Sequence, residues 1–144
     1  MDKTTRDCRP LKNYQNIIDD YPLLFWDCKY IDCGLGWYDL IEDLCAKIHE
    51  EVAKEPIDGI EQYHFYPMIA QVKEKFGGLR FYMHRETEEI SKLIEIAERK
   101  SETICEVCGA PGTLRGVGWY HTACEEHKKP LFTDEQKSLL GIKE

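Results

Sequence analysis

Long apolar runs are missing from this chain of 144 residues. None approaches the ~20 residues that span a bilayer, so no membrane-spanning helix is expected. Positive charge is also scarce: Lys and Arg number 19 against 27 Asp and Glu, a formal net charge of −8. That balance argues against general affinity for nucleic-acid or membrane phosphates, whose sequence-independent binding comes from an excess of cations. Any anionic ligand must be met locally. No Walker or dinucleotide fingerprint is present, and no HH or DH pair precedes His121 to build a nuclease-type centre. A secretory hydrophobic segment is absent too, and the seven cysteines are an odd number. Both fit a reducing cytosol rather than a disulfide framework, so a cytoplasmic location is expected. The 42% hydrophobic content is enough for the core of one small domain.

The cysteines themselves are patterned. Cys105-Glu-Val-Cys108-Gly and Cys124-Glu-Glu-His127 form a CxxC and a CxxH pair, a donor set matched to tetrahedral zinc. Gly109, Pro111 and Gly112 are expected to shape a turn whose amides point at the thiolates. The second pair is expected at the start of a helix, whose dipole favours thiolate. Fifteen residues separate Cys108 from Cys124, room for the hairpin of a treble-clef or ribbon-like zinc knuckle. Four protein ligands close the metal to substrate, which points to a structural zinc. His121 competes with His127 for the fourth position, and His127 has the better spacing. Cys28-x4-Cys33, with Cys8 and Cys45, could be imagined as a second metal site, but only one pair is closely spaced and no histidine sits with it, so the four read as buried free thiols. His49 and His64 have no visible partners and read as surface or satisfied histidines.

The fold class expected is α+β, with amphipathic helices packed on a β-hairpin and the knuckle at the C-terminal end. Residues 1–10 are polar and aperiodic, a flexible arm. Residues 11–103 form a helix-hairpin-helix core, and 104–144 the knuckle with a short terminal helix capped by Thr133. Within the core, residues 11–33 read as a short helix followed by an irregular aromatic-rich connection. Trp37, Leu40, Ile41, Leu44, Ile48 and Val52 recur at helical steps over 36–54, stopped by Pro56 and Asp58-Gly59. Met68 to His84 reads as a hairpin turning at Phe76-Gly77-Gly78. A second amphipathic helix over 86–102 starts from Thr87 as N-cap. Gly34-Leu-Gly36-Trp37-Tyr38 and Gly116-Val-Gly118-Trp119-Tyr120 share a short pattern, read as glycine turns that deliver a tryptophan to the core.

Strand alternation sends Ala70, Val72, Leu79, Phe81 and Met83 to one face of the hairpin, and Gln71, Lys73, Lys75, Arg80, Tyr82 and His84 to the other. The second face gathers cations, a tyrosine and a histidine beside Gly77 and Gly78, in a chain that is acidic overall. As a site it takes a phosphate or carboxylate: Arg80 offers a bidentate fork, Lys73 and Lys75 point charges, Tyr82 a stacking ring, and the glycines approachable amides. As plain structure it is a solvated strand face neutralised by ordinary ion pairs. Both readings stand at this point.

Gly36-Trp37, the run Gln71-Val-Lys-Glu-Lys-Phe-Gly-Gly-Leu-Arg-Phe-Tyr82, and Cys105-Glu-Val-Cys108-Gly-Ala-Pro-Gly112 with Gly118-Trp119 together resemble a group of small uncharacterised phage and prophage proteins. The resemblance covers roughly 36–127. It implies a hairpin-plus-knuckle unit and a host bacterial cytosol, and transfers no activity. It brings counter-defence into view: sequestering a nucleotide signalling molecule, or masking a host defence protein. The leading expectation is a non-enzymatic, zinc-stabilised binder of an anionic, nucleotide-like ligand. The alternatives are a protein-interaction inhibitor acting through acidic and aromatic surface, and a treble-clef nuclease-like enzyme with His121 as its base.

Overall fold

Asn13 turns its side chain back to accept the Gln15 N–H at 2.9 Å and so starts helix α1 (Tyr14–Asp20), which buries Tyr14 and Ile17. The computed structural model describes residues 12–54, 67–116, 119–130 and 134–141. After an irregular segment, a short 3-10 turn (Leu35–Trp37) feeds helix α2 (Tyr38–Ala53). The apolar stripe of α2 lies where its periodicity put it. Ile41, Leu44, Ile48 and Val52 are buried, with Tyr38 and Cys45 beside them and Leu40 at the margin.

Strands β1 (Ile69–Lys75) and β2 (Gly78–Met83) pair antiparallel, with Val72 opposite Phe81, Lys73 opposite Arg80 and Gln71 opposite Tyr82. The loop is Phe76-Gly77, both at positive φ (55° and 84°), the backbone of the two-residue turns that match strand twist. A register shift between Ile69 and Gln71 corrects the alternation expected at the start of β1. The extra residue of this irregularity puts Ile69, not Ala70, fully in the core.

Thr87 caps helix α3 (Glu88–Ser101) by accepting the Ile90 N–H at 3.2 Å. Its acidic first turn and basic last turn suit the helix dipole. This helix closes the outer edge of β2: Leu79 N–H donates to Ser101 Oγ (2.9 Å) and Phe81 N–H to Glu98 Oε2 (3.0 Å). The outer edge of β1 is closed by Asp32, whose N–H donates to the Val72 carbonyl and whose carbonyl accepts from Glu74. Neither edge is left as an open template for another strand.

Strands β3 (Thr113–Arg115) and β4 (His121–Ala123) form a second antiparallel hairpin, and helix α4 (Asp134–Leu140) follows. The architecture is α+β, with four α-helices and two small antiparallel hairpins among the described residues. No helix there is long and apolar enough to cross a membrane. The arm at 1–10, Cys8, the stop at Pro56 and Asp58-Gly59, His64 and the Thr133 cap lie outside the described residues.

Candidate functional site

Cys105, Cys108, Cys124 and His127 converge, their donor atoms all within 4.8 Å of one another, in a cluster able to hold a metal ion. Cys108 Sγ and Cys124 Sγ are 3.8 Å apart, and His127 Nδ1 stands 3.3 Å from Cys124 Sγ and 3.7 Å from Cys105 Sγ. The first turn is closed by Gly109 at φ 84°, whose N–H donates to the Cys105 carbonyl at 2.9 Å. The second pair departs from expectation, because 124–127 is a single turn and no helix begins there. Pro130 explains this: it disfavours helix at Lys129, leaving too few residues to repay nucleation.

The electrostatics are those of a thiolate nest. Burial works against ionising Cys105, but backbone N–H groups of Cys124, Cys108 and Val107 hold its thiol down to about 6. Cys124 is lowered likewise, burial being outweighed by the backbone and side chain of His127. For Cys108 the Ala110 N–H pulls down, yet burial and the neighbouring sulfurs of Cys105 and Cys124 raise it. Hydrogen bonds to Cys124 and Cys105 raise His127. His121 is occupied elsewhere. Its Nε2 accepts the Lys129 N–H at 3.0 Å, and burial with the charges of Lys129 and Arg115 lowers its pKa, so His127 is the fourth donor.

The cluster is welded to the core through the Gly34-Leu-Gly36-Trp37 segment. Gly36 N–H donates to the Glu106 carbonyl at 2.6 Å, Gly34 N–H to Glu106 Oε2 at 2.7 Å, and Trp37 Nε1 to the Ile104 carbonyl at 2.8 Å. Burial raises the Glu106 carboxyl, partly offset by the Gly34 N–H. A side chain at Gly36 would stand 2.0 Å from the Cys105 carbonyl oxygen.

On the β1–β2 hairpin, register brings Lys73 beside Arg80 and Gln71 beside Tyr82 on the outer face, with Lys75 nearest the tip. Lys73 and Arg80 are half-buried, and among the described residues neither they nor Lys75 forms an ion pair. Arg80 Nη1 donates to the Leu79 carbonyl at 2.9 Å. The glycines correct the expectation of approachable amides. Gly77 N–H is taken by Glu74 Oε2 (2.8 Å), its carbonyl by Thr122 Oγ1 (2.6 Å), and both glycines are buried. Gly78 is bracketed by Arg80 Nη1 and Glu102 Oε2, at 2.9 and 3.1 Å from where a Cβ would stand. His84 is held at the far end of the hairpin by Asp27, 2.8 Å away, and does not join the cations. Cys28, Cys33 and Cys45 are free thiols, as expected. Burial pushes all three pKa values up, that of Cys33 to about 12.

One element of the surface escaped the sequence reading. Trp37 is fully buried, but its counterpart Trp119 is 82% exposed, so the two tryptophans of the repeated pattern part company. Trp119 and Tyr120 instead line, with Glu74, Lys75 and Phe76, a cleft of about 220 Å³ at the hairpin tip. The signal was the unexplained phenylalanine beside two glycines, at a position where turns favour asparagine. Comparison of the chain with protein-family models, curated proteins and solved structures found no match.

Proposed function

We propose that this protein is a non-enzymatic, zinc-stapled binding protein for an anionic, nucleotide-like ligand held on the outer face of its first hairpin. The observation that carries the reading is the Lys73–Arg80 pair: two half-buried cations directly opposite one another, with no ion-paired carboxylate among the described residues. Like charges placed so work against the hairpin, and a bound anion relieves them. Tyr82, 43% exposed on the same face, offers a ring for a base.

Zinc is the metal that the donors suit. Three thiolates and an imidazole are soft-to-borderline ligands. Tetrahedral Zn–S bonds of about 2.3 Å place sulfurs about 3.8 Å apart, and sulfur and nitrogen about 3.6 Å apart. The observed 3.8 Å, and 3.3 and 3.7 Å, fall around those values. With four protein donors the ion has no open position, so its role is to hold structure. A phage protein that sequesters a nucleotide signal in the bacterial cytosol fits this reading.

Calorimetry against mono-, di- and cyclic nucleotides tests it. Arg80→Ala should weaken binding about ten- to a hundredfold, the worth of one charge-assisted contact of about 1.5–3 kcal/mol, with the fold intact. Absence of binding by the wild type at millimolar ligand would sink the proposal. Masking of a host protein is the second reading, favoured by exposed Leu23, Trp26 and Tyr30 on the segment after α1. Under it the nucleotide titrations stay flat and Trp26→Ala abolishes capture of the host protein.

A further inference from the structure

The tip of the first hairpin is built against local preference. A two-residue loop with both residues at positive φ favours Asn-Gly, yet Phe76 occupies the first position at φ 55° and is 61% exposed. A left-handed conformation is strained for an ordinary L-residue, whose Cβ crowds the following carbonyl. The aromatic ring recovers little by burial here, most of its surface being open to solvent. Strain and solvent exposure coincide on one residue, the combination that marks sites held for a ligand.

Phe76 does not stand alone. Thr122 Oγ1 grips the Gly77 carbonyl, and a Cβ at Gly77 would fall 2.4 Å from Leu114 Cδ1 and 3.2 Å from His121 Cα. The second hairpin is therefore flush against the tip of the first. That contact sets the residues ahead of β4 beside the turn, and Phe76, Trp119 and Tyr120 line one cleft with Lys75 and Glu74. Lys75 Nζ lies 5.4 Å from the Phe76 ring centroid, so a cation stands at the cleft's edge. Lys75 also belongs to the outer face that carries Lys73 and Arg80.

We propose that this cleft is a base-stacking subsite, and that the hairpin binds a ligand with two bases, one in the cleft and one on Tyr82, its phosphates lying between them on Lys73 and Arg80. This rests on the nucleotide reading above and names the ligand class. The spacing supports it: Lys75 and the residue facing Tyr82, Gln71, are four positions apart on β1, roughly 13 Å along a strand. A mononucleotide reaches the cations and one platform, whereas a linked dinucleotide reaches the cations and both. Glu74 accepts the Gly77 N–H through one oxygen, which leaves the other to accept an N–H from a base edge. A long nucleic acid brings the same bases and phosphates, but the net charge of −8 opposes its approach.

The intrinsic fluorescence of Trp119 reads the subsite directly, in a Trp26→Phe background that removes the other exposed indole. Titrants are tripolyphosphate, a mononucleotide, a linked dinucleotide and a single-stranded oligonucleotide. The expected result is quenching by the dinucleotide at about tenfold or more lower concentration than by the mononucleotide, with the oligonucleotide weaker than the dinucleotide. Phe76→Asn is the decisive variant because it does not threaten the fold: it should raise Tm by a few degrees as strain is relieved, and weaken the dinucleotide about tenfold. Tripolyphosphate affinity, read by calorimetry, should stay unchanged in Phe76→Asn and fall in Arg80→Ala. Equal affinity for mono- and dinucleotide, or Phe76→Asn binding both as the wild type does, overturns the subsite while leaving the anion face standing. A flat response to every titrant overturns both. Tighter binding of the oligonucleotide than of the dinucleotide overturns the choice of a small ligand.

Discussion

Gly36 stands where a methyl group has no room. The Cβ of an alanine would meet the Cys105 carbonyl oxygen at 2.0 Å and the Glu106 carbonyl at 2.5 Å, and both are backbone atoms of a turn that holds the metal donors. Neither can swing away as a side chain would. Gly36→Ala should therefore lower stability by about 3 kcal/mol, roughly 10 °C in Tm, and loosen the cluster together with the core; thermal unfolding followed by near-UV circular dichroism checks it. Cys105 supplies a pH dependence of definite sign. Its folded-state pKa, about 6, lies below the ordinary 9.0. The stability it adds is complete above the unfolded value and drains away as pH falls through about 6. His127, raised above 6.5, contributes in the opposite sense: its share is present below the unfolded value and lost as pH rises through the folded one. In metal-free protein, Tm measured from pH 9 to 5 should show the acid-side loss in the wild type and a smaller one in Cys105→Ser, where the lowered Cys124 still contributes. At this scale the donors were legible because ligand spacing is a local property of the chain. Trp119 was not, since whether an indole is covered depends on what packs over it, and nothing in Gly-x-Gly-Trp-Tyr encodes that.

At the scale of elements, α3 is the cover of β2 rather than merely its neighbour. Ser101 Oγ accepts the Leu79 N–H and itself donates to the Glu98 carbonyl, and it is fully buried. Ser101→Ala strands the Leu79 N–H between strand and helix, away from water. A loss of about 1–3 kcal/mol is expected in urea unfolding, with an unchanged m-value. Ser101→Thr, which keeps the hydroxyl, should recover part of it; equal stability of all three proteins would show that the edge is satisfied some other way. Helices α2 and α3 and the hairpin were readable because each carries its own period, with Thr87 as start signal for α3 and Gly77 and Gly78 marking the turn. The register shift at Ile69–Gln71 was not, because an extra residue in a strand leaves no mark on composition. The closure of Gly77 was equally hidden. Its carbonyl partner, Thr122, is 45 residues away in the chain, and only the docking of the two hairpins brings them together.

For the whole molecule, the metal is expected to decide whether two hairpins and a helical core behave as one body. Elemental analysis of protein purified without chelator should find one zinc per chain, and Cys108→Ser, which removes an exposed donor, should lower that content. Among the described residues, specific hydrogen bonds tie the knuckle to the rest: Glu106 to Gly34 and Gly36, Trp37 to Ile104, Thr122 to Gly77. Chelation leaves three thiols and a histidine in mutual contact, with the ionised sulfurs repelling. The turn at 105–109 should then open, and its opening should release the contacts it anchors. Hydrogen exchange resolves this by residue. After chelation the amides of Cys105, Glu106, Gly109 and Gly36 should exchange faster by one to several orders of magnitude, each having lost an acceptor in or beside the knuckle. Those of Ile41, Leu44 and Ile48 should hold, because the α2 stripe is buried against the remainder of the core. Unchanged exchange at the four amides would mean that the fold supports the knuckle without metal. Fast exchange throughout α2 would mean that zinc holds the whole chain folded, and that the division of core from knuckle has no energetic content.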